Sequence, residues 1–423
     1  MIETAVSREI VPVVVQQHAD DAISLRNIRS GQVTAPHVNL SKLRRLDDRI
    51  AAHLDGLAVA GRYGTSLAMA ALAKPGRGEA FVAAVQAIET RDSVGMEKLL
   101  AVAEAVPVAR SGVTSALGWV SPASLRGLTE KLLVSTSAFR REAGLAACLM
   151  HQVYPAAAVF AALEDADGAL RARALRMAGE TGRLDLLSAC MKALVNECAG
   201  CAYEAARAAV LLGDRGSSVA ALHAVASTPG PWRTRAASLV LKLYTSAQAN
   251  SLLRALSHDL TDRRLLIRGI GVAGDPDHVP WLVQQMHDLK FARMAGEAFS
   301  LMTGLDLAYL DMDRKPPENV DTLDSDPDLE SVAMDEDDGL PWPDPDKIAV
   351  WWQGNAQRFT RGTRYFMGAP PSPAHCLSVL RDGCQRQRVV AAEYLVLMTP
   401  GTPMFNTSAP AWRQQRWLDK SRA

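Results

Sequence analysis

Four short segments, RREAG from Arg140, RARAL from Arg171, AYEAA from Ala202 and RTRAA from Arg233, set Ala143, Ala174, Ala205 and Ala236 at equal steps of 31 residues. A fixed period of this length is the mark of a repeat array. Each alanine is followed three and four positions on by apolar residues, the pattern of a helix face lying close against its neighbours. Gly269 in LIRGI and Ala295 in ARMAG continue the series at steps of 33 and 26. Shorter amphipathic stretches alternate with these: LDLLSACMKAL from Leu184, SVAALHAVA from Ser218, ANSLLRALSHDL from Ala249 and HVPWLVQQM from His278. Turn residues separate them at Gly182, at Gly213 with Asp214, at Pro229 to Pro231, and at Asp275 with Pro276. Such a unit, less two turns, leaves two helices of about 10–13 residues, close to the usual length in globular proteins. Stacked helical hairpins make an α-solenoid.

Composition agrees. Ala and Leu supply 68 and 50 of the 423 residues and aromatics only 5%, which favours helix over a sandwich or barrel. The expected fold is all-α, with an N-terminal helical region over 1–76 and a repeat array over 77–310. Residues 311–346 break the pattern, holding 14 Asp and Glu against Arg314 and Lys315 together with six prolines. They read as an acidic, Pro-rich linker or disordered loop. The segment 347–423 carries 11 Lys and Arg against 3 acids, so charge is segregated along a chain whose formal net is zero. It is expected to be helical, with one more repeat hairpin from Cys376 in which Arg388 and Ala391 stand where Arg171 and Ala174 stand in theirs.

The opening residues carry Glu3, Arg8 and Glu9, with Pro12 inside the following apolar run, which does not make a signal peptide. No stretch reaches the roughly 18 uncharged apolar residues that a membrane span requires. Six scattered cysteines, Cys148, Cys190, Cys198, Cys201, Cys376 and Cys384, suit reduced thiols. The expectation is a cytoplasmic protein with no membrane partner.

The hairpin unit resembles the short HEAT-like repeat of the phycobilisome-lyase class, and lacks the tetratricopeptide and ankyrin signatures. Two further blocks, LDDRIAAHLDGLAVAG from Leu46 and LPWPDPDKIAVWW from Leu340, accompany it, as do the last hairpin and PAWRQQRWL from Pro410. Together they resemble a bacterial family of HEAT-repeat proteins associated with type VI secretion gene clusters. The resemblance spans nearly the whole chain. It implies that gene neighbourhood and an interaction role, and it brings no catalytic residues with it.

Candidate chemistry is sparse. Arg140 with Arg141, Arg171 with Arg173, Arg233 with Arg235, then Arg268 and Arg293, recur at the start of the second helix of each hairpin. Equivalent positions of a solenoid share an edge, where guanidiniums can grip carboxylates or phosphates, or tie one hairpin to the next. Cys198 and Cys201 have CxxC spacing but lack the further pair that zinc requires, and read as buried small residues. His258-Asp259 and His287-Asp288 lack accompanying ligands. There is no phosphate-binding loop, no Gly-x-Ser-x-Gly elbow and no His-Glu pair. Trp351 and Trp352 follow a Pro-rich entry and read as interface anchors or as a hydrophobic cap on the last hairpin.

These observations point to a non-enzymatic scaffold, adaptor or accessory protein without cofactor or metal. It would bind a protein partner, such as a secretion component or effector, through Arg140, Arg171, Arg173, Arg233, Arg235, Trp351 and Trp352. The other reading is a HEAT-like DNA-binding protein or DNA glycosylase. The pI near 7.1 makes nucleic acid an unlikely partner, since backbone binding rests on several phosphate neutralisations.

Overall fold

The computed structural model describes residues 10–259, 262–317 and 335–420. The targeting reading of residues 1–9, and the loop reading of 318–334, lie outside them. The protein is all-α: among the described residues the only sheet is a two-stranded ribbon pairing Asp313–Arg314 with Trp342–Pro343. None of the described helices is long and apolar enough to cross a membrane.

The chain forms two compact units, one of Met1–Thr34, Leu40–Met177 and Asn406–Ala423, the other of Ala35–Asn39 and Ala178–Phe405. The division falls near residues 177 and 405, because the closing PAWRQQRWL segment packs among the first helices. Ten helices run through the first part of the chain: α1 (Pro12–Gln32), α2 (Leu40–Val59), α3 (Arg62–Ala70), α4 (Arg77–Glu89), α5 (Ser93–Ala105), α6 (Pro107–Trp119), α7 (Leu128–Leu133), α8 (Ala138–Met150), α9 (Ala156–Leu163) and α10 (Gly168–Glu180). Then follow α11 (Leu187–Lys192), α12 (Ala199–Leu211), α13 (Ser217–Ser227), α14 (Arg233–Leu243), α15 (Ser246–Ser257), α16 (Arg263–Ala273), α17 (Val279–Gln285) and α18 (Ala292–Thr303). The last four are α19 (Pro345–Asn355), α20 (Pro373–Asp382), α21 (Gln385–Met398) and α22 (Ala411–Lys420).

The even-numbered helices α8 to α18 begin at steps of 30, 31, 34, 30 and 29 residues, which is the period seen in the sequence. The stepping alanines Ala174, Ala205, Ala236 and Ala295 are fully buried. Helices approach closely in this array: at Gly271 of α16 a Cβ would lie 2.9 Å from the Cα of Ala298 of α18. Local signals set the boundaries: Thr245 and Gln248 form a capping box at the start of α15, and Gly274 ends α16 at φ +68°.

In the first unit, Val15, Ala19 and Ala22 of α1 pack with Leu54 and Leu57 of α2, Phe81 of α4 and Leu117 of α6. Helix α22 packs on α2. The Arg29 guanidinium grips Asp47 there, and Asp47 also accepts the backbone N–H of Ala411 at 2.7 Å. In the second unit α14, α16 and α18 lie side by side, each packed against a neighbour from α13, α15 and α17. The hairpin expected from Cys376 is α20 with α21, and α21 packs on α12 and α14. Arg364 donates to the carbonyls of Leu241, Lys242, Tyr244 and Ala273, so one side chain satisfies the ends of α14 and α16.

Candidate functional site

Except for Arg235, the guanidiniums singled out in the sequence are engaged by carboxylates or carbonyls. In the first unit Arg140 meets Glu97 at 2.7 Å and Glu104 at 2.9 Å, and Arg173 meets Glu142 at 3.0 Å. The hydrogen bond from Arg140, and then one from Ser137, hold the Glu104 carboxyl below the usual carboxylate range. Arg171 donates to the carbonyls of Asp165 and Ala166. In the second unit Arg233 is buried and meets Asp259 and Asp262, each at 3.0 Å, whereas Arg235 is exposed. Trp351 and Trp352 are half-buried, edge-on to Phe299 and near Phe359.

The weaker motifs are placed as follows. Cys201 is buried and Cys198 partly so, and no group of three or more His, Cys, Asp or Glu suited to a metal ion occurs among the described residues. Asp259 belongs to the Arg233 pairing, and Asp288 lies 3.7 Å from Arg263.

Two arrangements stand out beyond these. The first is a row of arginines in the second unit: Arg264 and Arg268 on α16, Arg293 on α18 and Arg386 on α21. The described end of the acidic segment lies on it. Arg264 meets Asp337 at 2.7 Å, Arg268 meets Glu336 at 2.5 Å, and Arg293 meets Asp335 at 2.5 Å. Arg386 donates to the Glu336 carbonyl and pairs with Glu297 at 2.7 Å. The turn is shaped by the Asp335 carboxylate, which accepts the Asp337 N–H, and by Gly339 at φ +78°, where a Cβ would strike the His37 ring. The hydrogen bond from Arg268 holds the Glu336 carboxyl below its ordinary range.

The second is a recess of about 660 Å³ in the first unit, lined by Arg26, Arg29, Arg110, Arg173, Arg176 and Arg413, against Glu142 as the one acidic lining residue among those described. Arg26 is 7% exposed and Arg413 8%, yet among the described residues neither has a carboxylate partner. Arg26 donates to the hydroxyls of Ser115 and Ser30, and Arg413 to the carbonyls of Gly118 and Met150. Burial, then the charges of Arg29 and Arg77, pull the Arg26 guanidinium down to about 10. Burial and Arg416 do the same for Arg413.

Sequence reasoning passed over this recess, although one sign was present. Val15, Ala19, Ala22, Arg26 and Arg29 share one helical stripe, so the two arginines occupy positions whose phase is that of the core. No family model matches the sequence, and no curated protein or solved structure matches it significantly.

Proposed function

We propose that the protein is a non-enzymatic binding scaffold or adaptor, a solenoid of short HEAT-like hairpins that receives an acidic segment of a protein partner on the row Arg264, Arg268, Arg293 and Arg386. The observation that carries this reading is the seating of three consecutive carboxylates, Asp335, Glu336 and Asp337, each on a different arginine of that row. The chain's own segment imitates the partner and competes with it. Tethering gives such a competitor an effective concentration on the order of millimolar, while the exposed pairs of Asp335 and Glu336 are worth about 0–1 kcal/mol each, so these two carboxylates are displaceable and the buried Asp337 holds the turn in place. The resemblance to proteins of type VI secretion gene clusters makes a secretion component or effector the partner to try first.

The test is a binding titration with a fluorescent oligoglutamate peptide at low salt. The double substitution Asp335→Asn with Glu336→Gln leaves the buried Asp337 in place, and it should tighten binding severalfold. Unchanged affinity would make the segment a structural brace. Salt-sensitive capture of duplex DNA in place of the peptide would favour a nucleic-acid reading.

A further inference from the structure

The recess of the first unit raises a question of charge. A buried guanidinium is costly unless an anion accompanies it. Arg29 has Asp47, and Arg173 has Glu142. Arg26 has two hydroxyls. Asp47 is the carboxylate whose field reaches it, and that group is already committed to Arg29 and to the Ala411 N–H. A guanidinium carries five N–H donors, and the bonds to Ser30 and Ser115 use three, leaving one on each terminal nitrogen of Arg26. Among the described residues, the recess thus gathers more buried positive charge than neighbouring carboxylates balance.

We propose that this recess binds a small phosphate monoester, its phosphoryl group received by Arg26 with the hydroxyl of Ser115. A dianion returns more to a set of clustered guanidiniums than a single carboxylate does. Its three terminal oxygens can accept from the Arg26 fork and from a neighbouring hydroxyl together. The volume of about 660 Å³ exceeds what a bare ion fills and lies in the range of small-molecule sites. Phe139, Met150, Pro107 and Val33 supply the apolar wall that an organic body requires. The lowered proton affinity of Arg26 fits a site whose charge is compensated by ligand. The residues are separate from the arginine row of the second unit, so either reading can fail alone.

The full-length protein is titrated with AMP, ribose 5-phosphate, adenosine and citrate, following melting temperature and heat of binding. Saturable stabilisation by the two phosphate esters, with none from adenosine and less from citrate, is the expected result. Arg26→Gln should weaken AMP binding about tenfold or more, the loss of a hydrogen-bonded charge. Ser115→Ala, which keeps every guanidinium, should weaken it less. The proposal is overturned if neither ester binds the wild-type protein at millimolar concentration, if citrate binds as tightly as AMP, or if a folded Arg26→Gln protein binds AMP unchanged. Should Arg26→Gln fail to fold, the comparison of esters with adenosine on the wild-type protein still decides.

Discussion

Arg173 reaches back to Glu142, its Nη2 3.0 Å from Oε1, and the 31 residues between them are the step of the sequence repeat. A guanidinium in one hairpin therefore holds a carboxylate of the hairpin before it. Arg207 repeats the device with Glu180 at a separation of 27 residues, whereas Arg233 reaches forward to Asp259, 26 residues on, in the hairpin that follows. Arg233 and Arg235 separate the bracing role from a surface role. Arg233→Gln should cost about 1.5–3 kcal/mol, because two carboxylates lose a charged hydrogen bond. The exposed Arg235→Gln should stay within about 0.5 kcal/mol of the parent. Urea denaturation of the two variants side by side is the measurement, and equal losses would refute the assignment.

Asp47 is fully buried and serves Arg29 and Ala411 at once. Asp47→Asn leaves a buried guanidinium without its anion. The expected loss is about 3–5 kcal/mol, the range found when one partner of a buried pair is removed. Limited proteolysis should then cut near Ser408 to Arg413, since the segment entering α22 loses its anchor.

Ala205 is fully buried between helices at the repeat phase. Ala205→Leu should overpack the second unit by about 1–3 kcal/mol, read as a lower melting temperature with the helical circular dichroism retained.

Acid should destabilise the fold before carboxylates titrate. Burial pushes the His151 and His278 imidazoles below their ordinary value, against the hydrogen bond with the Leu117 carbonyl in one case and the nearby Asp275 and Asp277 in the other. Below about pH 6.5 the unfolded chain takes up protons on these rings that the folded chain refuses, so stability present at neutral pH is lost as pH falls. Melting temperature should decline steadily from about pH 7.5 to about pH 5.5. His151→Asn, which removes one titrating ring, should flatten that slope, and an unaltered slope would exclude His151 as a contributor.

The helical hairpins were legible because their cause is local and repeated: a small residue every 31 positions, apolar neighbours at helical spacing, and capping or glycine punctuation such as Thr245 and Gly274. The sign of the acidic segment was legible too, but not its seats, since Arg264, Arg268, Arg293 and Arg386 are brought together by the packing of three helices. The recess was hidden for the same reason. Its arginines come from α1, α6, α10 and α22, and Arg413 meets the Gly118 carbonyl across 295 residues. Local periodicity holds no information about such closures. The arginines on the buried stripe of α1 are the exception, since a charge at a core phase announces itself one helix at a time.

The bond from Ala411 to Asp47 spans 364 residues, and this has a consequence for biosynthesis. At translation rates of about 5–20 residues per second, helix α2 waits on the order of 20–70 s for the strand of chain that completes its surroundings. Throughout that interval Trp119 lacks Trp412, and Arg29 lacks the carbonyls of Ser408 and Ala409. Residues 178–405 leave the ribosome in the meantime and are free to fold. The first unit to be made is therefore the last to be finished.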